Sequence, residues 1–395
     1  MIETPVDQLL GVCKESYELI TQSYEIGYPA DYADFKHLLK REGFPTQFPG
    51  MLKAWIASCI SDPDASTLKP LLDVLLFPTH LHLEMESLEE DAAQSYCDLE
   101  ASFGSDPDQW DDTITDIISR WFPREQDHTD EVVGKHGSGS TAPGYMPIAY
   151  KYADMHIDPL LQYQVNKTPR SSWDILYRPG LERTSTVRFV PKSYSKYRTI
   201  AMEPTSLMFW QQGVWNAFVS SIHSGTVADF GRRYRPETQR RNREAALAGS
   251  VDGSIATIDL SSASDSVRLS HVKQWFRRTW LLPWLLATRS RQARLPDGTL
   301  LPLRKYASMG NATTFAVESI VFAAITELAI RRAGGDPMSC RFGVYGDDIF
   351  VEQRYAYEVM QALAENGFKP NRSKSFYLGA TAYFRESCGV YAING

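Results

Sequence analysis

Three aspartates have the type and spacing for chemistry on phosphates. Asp347 and Asp348 stand together after Gly346, between two apolar strand-like runs at 341–344 and 349–352. Glycine permits a tight turn there, and a hairpin tip brings toward one edge side chains that a straight strand would send to opposite faces. Two carboxylates so close repel, and one is driven toward its neutral form; a divalent metal removes the conflict. The tripeptide alone reads more simply as a hairpin turn with solvated acids. Asp259 changes the balance. It ends the apolar run Ile255-Ala256-Thr257-Ile258, where a carboxylate is costly unless paired or metal-bound. By itself it could cap the helix that follows. If its strand lies beside the 341–352 hairpin in one antiparallel sheet, three carboxylates converge. Mg²⁺ is held by one or two carboxylates plus substrate phosphates, and two ions about 4 Å apart serve phosphoryl transfer.

The elements that must position these acids follow from hydrophobic pattern and turn chemistry. Residues 254–260 read as a strand passing into a Ser/Ala-rich helix start, with the helix running through Trp275. Leu295-Pro296-Asp297-Gly298 turns a hairpin between two short apolar runs. Residues 313–330 read as a buried helix, and 355–366 as an amphipathic helix ended by Gly367. Residues 1–130 read as mainly helical, with helical runs at 51–60 and 89–103. Asp106-Pro107-Asp108 marks a turn before a helix start near Asp111. Residues 134–140 form a basic small-residue loop, and 145–250 are rich in aromatics and arginine.

A chain of 395 residues suits two or three domains, and 43% apolar with 23% charged residues is a globular composition. No run is long and apolar enough to span a bilayer, and no signal peptide is evident. Cys13, Cys59, Cys97, Cys340 and Cys388 form no CxxC pair, so free thiols are expected and a zinc site is not. The net charge of −7 conceals a segregation. Residues 84–131 carry 16 acidic and 2 basic side chains, so the remainder sums to +7. Residues 183–243 hold 11 basic residues against Glu203, Asp229 and Glu237. Such a stretch makes its own positive potential, suited to phosphates, although on charge alone a solvated helix face is the favoured reading.

Ordered blocks then give a family resemblance. Thr257-Ile258-Asp259-Leu260-Ser261-Ser262-Ala263-Ser264-Asp265-Ser266 resembles motif A of right-hand viral RNA polymerases, and Val344-Tyr345-Gly346-Asp347-Asp348-Ile349 resembles motif C. Ser308-Met309-Gly310-Asn311-Ala312-Thr313-Thr314-Phe315-Ala316-Val317-Glu318-Ser319 resembles motif B. Val190-Pro191-Lys192-Ser193-Tyr194-Ser195-Lys196-Tyr197-Arg198, continuing to Pro204, is similar to motif F. Arg294-Leu295-Pro296-Asp297-Gly298 and Phe384-Arg385-Glu386-Ser387-Cys388-Gly389 are similar to further blocks. The wording is that of the replicases of leviviruses, the positive-strand RNA phages, over roughly residues 134–389.

The resemblance implies an α+β fold, a right-hand polymerase with an antiparallel-sheet palm and helical fingers. It implies RNA-dependent RNA polymerase activity, a nucleotidyl transfer from NTPs to an RNA 3′-hydroxyl with two Mg²⁺ ions, or Mn²⁺ in their place. By motif, Asp259, Asp347 and Asp348, with the Leu260 carbonyl, would hold the metals. Lys192, Lys196 and Arg198 would neutralise the triphosphate, and Lys374 would protonate the leaving pyrophosphate. Asp265, Ser308 and Asn311 are candidates for reading the ribose. Gly310 would let the backbone bend close to the template. The loop carrying Gly137 and Gly139 would guide template. Phe384 and Arg385 would grip the primer, and Arg232, Arg233, Arg235, Arg240, Arg241 and Arg243 would line the RNA path. Two departures from other viral polymerases stand out. Glu318 occupies the place where many carry asparagine, and the spacing from Asp259 to Asp265 is one residue longer.

The expected organisation is an acidic helical region over 1–130, fingers over 131–250, and a palm over 251–395 in which 266–300 belongs partly to the fingers. Family members continue well past the equivalent of Gly395, so a truncated or short form without a thumb is expected. The resemblance further implies RNA template and product as partners, host elongation factors Tu and Ts, a small-subunit ribosomal protein, and work in the bacterial cytoplasm. A reverse transcriptase is the alternative enzyme, but residues 260–264 carry no bulky aromatic to exclude ribose. A non-catalytic RNA-binding module is the other alternative, and it would need the bases but not the acids.

Overall fold

The computed structural model describes residues 10–14, 16–18, 48–61, 65–77, 86–106, 110–168, 175–193, 196–377 and 384–395. Tyr194 and Ser195 of the basic block, and Pro107 and Asp108 of the expected turn, lie outside the described residues.

The centre is a three-stranded antiparallel sheet of β3 (Ile255–Ile258), β8 (Asp348–Glu352) and β7 (Phe342–Tyr345), with β8 in the middle. All four residues of β3 are buried, which suits a strand covered on both faces. Register decides what this sheet presents. Ile258 pairs with Ile349, and Tyr345 pairs with Asp348 across the turn. Asp259, one step beyond Ile258, therefore emerges at the same edge as Asp347 and Asp348.

Behind the sheet runs α8 (Thr314–Arg332), buried at every position from Ala316 to Ile330. A helix buried and mainly apolar on every side belongs in a core. It packs on α9 (Ala356–Glu365), on β7, and on α4 (Asp112–Trp121), whose start is capped by Asp111 accepting from the Thr113 N–H at 2.8 Å. The expected continuous helix through Trp275 is instead broken. α7 (Ala263–Ser266) ends at Val267 in extended conformation, and a new helix, Leu269–Trp275, begins after Arg268. Arg268 forms an antiparallel bridge with Lys305, which draws the chain aside at that point.

A second sheet of four strands runs β2 (Lys196–Met202), β1 (Thr184–Ser193), β5 (Gln292–Arg294) and β6 (Leu300–Pro302). β5 and β6 are the hairpin expected around Asp297, and β5 lies parallel to β1. Residues 131–250 thus combine this long β1–β2 hairpin with α5 (Thr205–His223) and α6 (Arg240–Asp252). The acidic α3 (Glu86–Ser102) packs on β1 and β2, and α1 (Phe48–Ser61) and α2 (Ala65–Leu76) share an apolar cluster with Phe376 and Phe384.

Candidate active site

Each aspartate is fixed by backbone geometry. Gly346 sits at φ +64°, and a Cβ there would lie 2.5 Å from the Phe315 ring and 2.9 Å from Glu318 Oε1. Its N–H donates to Ser319 Oγ at 3.0 Å, so the turn is pressed against α8 and only glycine fits. Asp348 Oδ1 accepts from the Cys388 N–H at 3.0 Å and from Ser387 Oγ at 3.2 Å. Asp259 Oδ2 accepts from Asn371 Nδ2 at 2.9 Å, and its carbonyl accepts from the Asn371 N–H. Phe376 exchanges backbone hydrogen bonds with Thr257, so residues 371–376 lie along the outer edge of β3. That edge segment carries Lys374. Leu260 opens the short β4 (Leu260–Ser261) opposite Pro370, which has no N–H to offer it.

The electrostatics record how the acids crowd. Burial, then the Asp347 charge, pushes Asp259 up to about 6, while Lys374 and Asn371 oppose the rise. Burial and Asp348 raise Asp347, with Lys192 and Lys374 pulling back. Desolvation, Arg198 and Lys374 lower Lys192. The basic hairpin β1–β2 and the lysine after α9 therefore act on the same carboxylates. Lys196 opens β2, and Arg198 lies across from Val190.

Sequence reasoning missed Asn371 and undervalued Glu386. Burial, Asp348 and Asp259 push Glu386 up to about 7, which makes it a fourth acid of the cluster. Glu318 is buried on α8, and burial with Asp347 and Asp265 raises it well above the carboxylate range. Among the described residues no three His, Cys, Asp or Glu side chains form a self-sufficient metal site. The edge offers carboxylates whose repulsion a cation would relieve, with coordination left for substrate to complete.

Other expected site residues sit elsewhere than their motifs suggested. Gly310 has φ +115°, and a Cβ there would stand 2.2 Å from the Ala201 carbonyl. Its close approach is to β2, not to open space, and the Ala201 N–H donates to the Met309 carbonyl at 2.8 Å. Asn311 is buried, its Oδ1 taken by the Thr313 N–H and hydroxyl. Ser308 is buried against the Tyr96 hydroxyl at 2.8 Å. Asp265 keeps part of its surface open and accepts from Lys305 Nζ at 2.9 Å.

Phe384 and Arg385, expected at the primer, are both buried. They begin β9 (Phe384–Ser387), which pairs with β10 (Val390–Ile393). Phe384 is fully buried, and the buried Arg385 guanidinium donates to the carbonyls of Ile255 and Phe384, tying this hairpin to β3. The arginine stretch is also divided. Arg233 turns inward to the carbonyls of Pro337 and Cys340 and over the Phe342 ring. Arg241 donates to the Gly231 and Arg232 carbonyls, and Arg243 reaches the Cys388 carbonyl at 3.3 Å. Arg240 is exposed and pairs with Glu244. Gly137 and Gly139 lie in an exposed loop whose two carbonyls accept from the buried Lys151 ammonium.

The chain is similar to known viral polymerases. The chain is 39% identical over 210 residues to the RNA-directed RNA polymerase beta chain of Escherichia phage MS2, covering 52% of this chain and 35% of that one. It is 38% identical over 208 residues to the RNA-directed RNA polymerase subunit beta of Enterobacteria phage SP, covering 52% and 34%. The match spans about a third of the length of these relatives. Among solved structures, the RNA-dependent RNA polymerase of a human picorbirnavirus is similar at TM-score 0.52 and 14% identity, over 90% of this chain and 73% of that one. An insertion-loop deletion mutant of that polymerase is similar at TM-score 0.53 and 15% identity, over 83% and 68%. The fold is that of the α+β right-hand polymerases. The model of the family described as RNA replicase, beta-chain, matches residues 160–395, more than half of the sequence, and the chain belongs to that family.

Proposed function

We propose that this chain carries the nucleotidyl-transfer centre of an RNA-dependent RNA polymerase that copies a phage RNA genome. The observation that carries the reading is the convergence of Asp259 and Asp347 at one sheet edge, under the charges of Lys192 and Lys374. Asp259 and Asp347 would hold two Mg²⁺ ions, with the free oxygen of Asp348 and the Leu260 carbonyl assisting. When bound, such ions acidify the attacking 3′-hydroxyl and neutralise the triphosphate. The chain's own residues position the reactants. Lys192, Lys196 and Arg198 orient the triphosphate and balance charge as it builds on the leaving group. Lys374 lies beside the carboxylates and can hand a proton to pyrophosphate. Asp265, the most accessible of the three candidate sugar readers, accepts from the ribose 2′-hydroxyl. The exposed 137–139 loop and Arg240 face the RNA.

In this reading residues 131–250 act as fingers and 251–395 as palm. The SP relative is named as a subunit, which supports work within a larger assembly, with host elongation factors Tu and Ts and a ribosomal protein as partners by family resemblance.

The test is metal-dependent extension of primed RNA, run alongside RNA affinity and thermal melting. Asp347→Asn is expected to abolish extension while sparing fold and most RNA binding. Extension that survives the substitution overturns the assignment. Extension with deoxynucleotides as efficient as with ribonucleotides favours the reverse-transcriptase alternative.

A further inference from the structure

Lys305 is a charged side chain with no exposed surface. Its ammonium lies 2.9 Å from Asp265 Oδ1, 3.7 Å from Glu100 Oε1 and 3.5 Å from the centre of the Tyr96 ring. Tyr96 and Glu100 both come from α3, a helix outside the span matched by the family model. Glu100 also accepts from the backbone N–H of Arg304 at 2.7 Å and of Lys305 at 3.4 Å. The Tyr96 hydroxyl meets Ser308 Oγ at 2.8 Å. One helix thus grips the segment leading into the motif B loop at its backbone, at its buried lysine and at Ser308.

A buried ion pair is a poor device for stability, because desolvation offsets the attraction; its attested use is to fix geometry. Here the geometry it fixes is that of Asp265. Lys305 engages Oδ1 alone, which sets the rotamer and leaves Oδ2 free to accept. An aspartate in the first turn after a strand has several open rotamers, and only a partner from another element selects one.

We propose that Lys305 is a positioning residue for Asp265, and that α3, through Tyr96 and Glu100, completes the face that recognises the ribose of an incoming ribonucleoside triphosphate. The proposal rests on the polymerase reading above and on Asp265 as the acceptor of the 2′-hydroxyl. A site built around a hydroxyl rejects the analogue lacking it, because its own acceptor is left unpaired. Displacing that acceptor removes the preference without removing the triphosphate contacts.

The experiment uses the full chain and two readouts, equilibrium binding of GTP and dGTP with Mg²⁺ and the ratio of their kcat/KM values in primer extension. Lys305→Met is expected to lower the GTP-over-dGTP ratio by about tenfold or more, through a raised KM for GTP. Lys305→Arg keeps the charge and is expected to restore most of the ratio. Tyr96→Phe retains the ring and loses only the hydroxyl bonded to Ser308, so it remains informative if Lys305→Met fails to fold; its ratio is expected to fall by a smaller factor, with a melting temperature lowered by no more than the loss of one buried hydrogen bond. An unchanged ratio in folded Lys305→Met, or in Tyr96→Phe where Lys305→Met does not fold, overturns the inference while leaving the polymerase reading intact. A parent chain that binds neither nucleotide overturns both.

Discussion

Lys192 stands between opposed charges: desolvation, Arg198 and Lys374 make its ammonium easier to deprotonate, and Asp347 opposes them. A triphosphate seated at the carboxylate edge would add a negative partner for these three cations. Lys192→Ala or Arg198→Ala is therefore expected to raise the KM for nucleotides about tenfold or more and to slow turnover, since hydrogen bonds to charged groups are worth about 1.5–3 kcal/mol. Steady-state extension at varied NTP reads this directly. If the changes weaken template affinity and leave the nucleotide KM alone, these residues line the RNA path instead. At this scale the acids and bases were legible because residue type carries their chemistry. Asn371 was not, because it reaches Asp259 only when the chain returns along β3. The placement of Arg385 was not legible for a related reason. The string Phe384-Arg385-Glu386 does not say which side chain faces the cluster, and in the fold Glu386 does while Arg385 holds the Ile255 carbonyl.

Elements decide whether those residues meet. The strand, hairpin and buried-helix pattern from 254 to 366 was readable from apolar periodicity and turn residues, and β3, β5, β6, α8, β7, β8 and α9 follow it closely. What the pattern lacked was pairing between distant segments. The break after α7 depends on a bridge from Arg268 to Lys305, which no local propensity encodes. The position of Gly310 is of the same kind. Its φ of +115° and the Ala201 carbonyl at 2.2 Å from a would-be Cβ make it the staple between the motif B loop and β2. Gly310→Ala is expected to cost about 1–3 kcal/mol in backbone strain alone, with the clash in addition. Because β2 carries Lys196 and Arg198, the loss should extend beyond stability to a raised nucleotide KM. Urea unfolding together with nucleotide titration checks both. A stable variant with parental nucleotide affinity would mean that loop and strand are not coupled through this contact.

At the scale of the whole molecule, the chain gathers negative charge where it can least be solvated. Asp259 is pushed up to about 6 by burial and Asp347, Glu386 up to about 7 by burial, Asp348 and Asp259, and Asp347 is raised by burial and Asp348. The sign of the linkage follows. A carboxyl whose folded value lies above its unfolded one contributes stability that is present below the unfolded value and lost as pH rises through the folded one. The window set by the Asp259 and Glu386 shifts runs from about pH 4 to about pH 7. In the absence of divalent cations, the cluster is therefore expected to weaken the fold progressively across that window. Other groups titrate there too, so the informative quantity is a difference between two proteins. Asp259→Asn keeps the size of the side chain and can still accept from Asn371, but it never ionises. Its Tm relative to the parent is expected to climb from pH 4.5 to pH 7.5 without metal. Mg²⁺ should raise the parental Tm more at pH 7.5 than at pH 5, and the increment should shrink in the variant. A Tm difference that stays flat with pH would mean that the three carboxylates are solvated independently. A Mg²⁺ increment equal in parent and variant would place any bound cation away from Asp259.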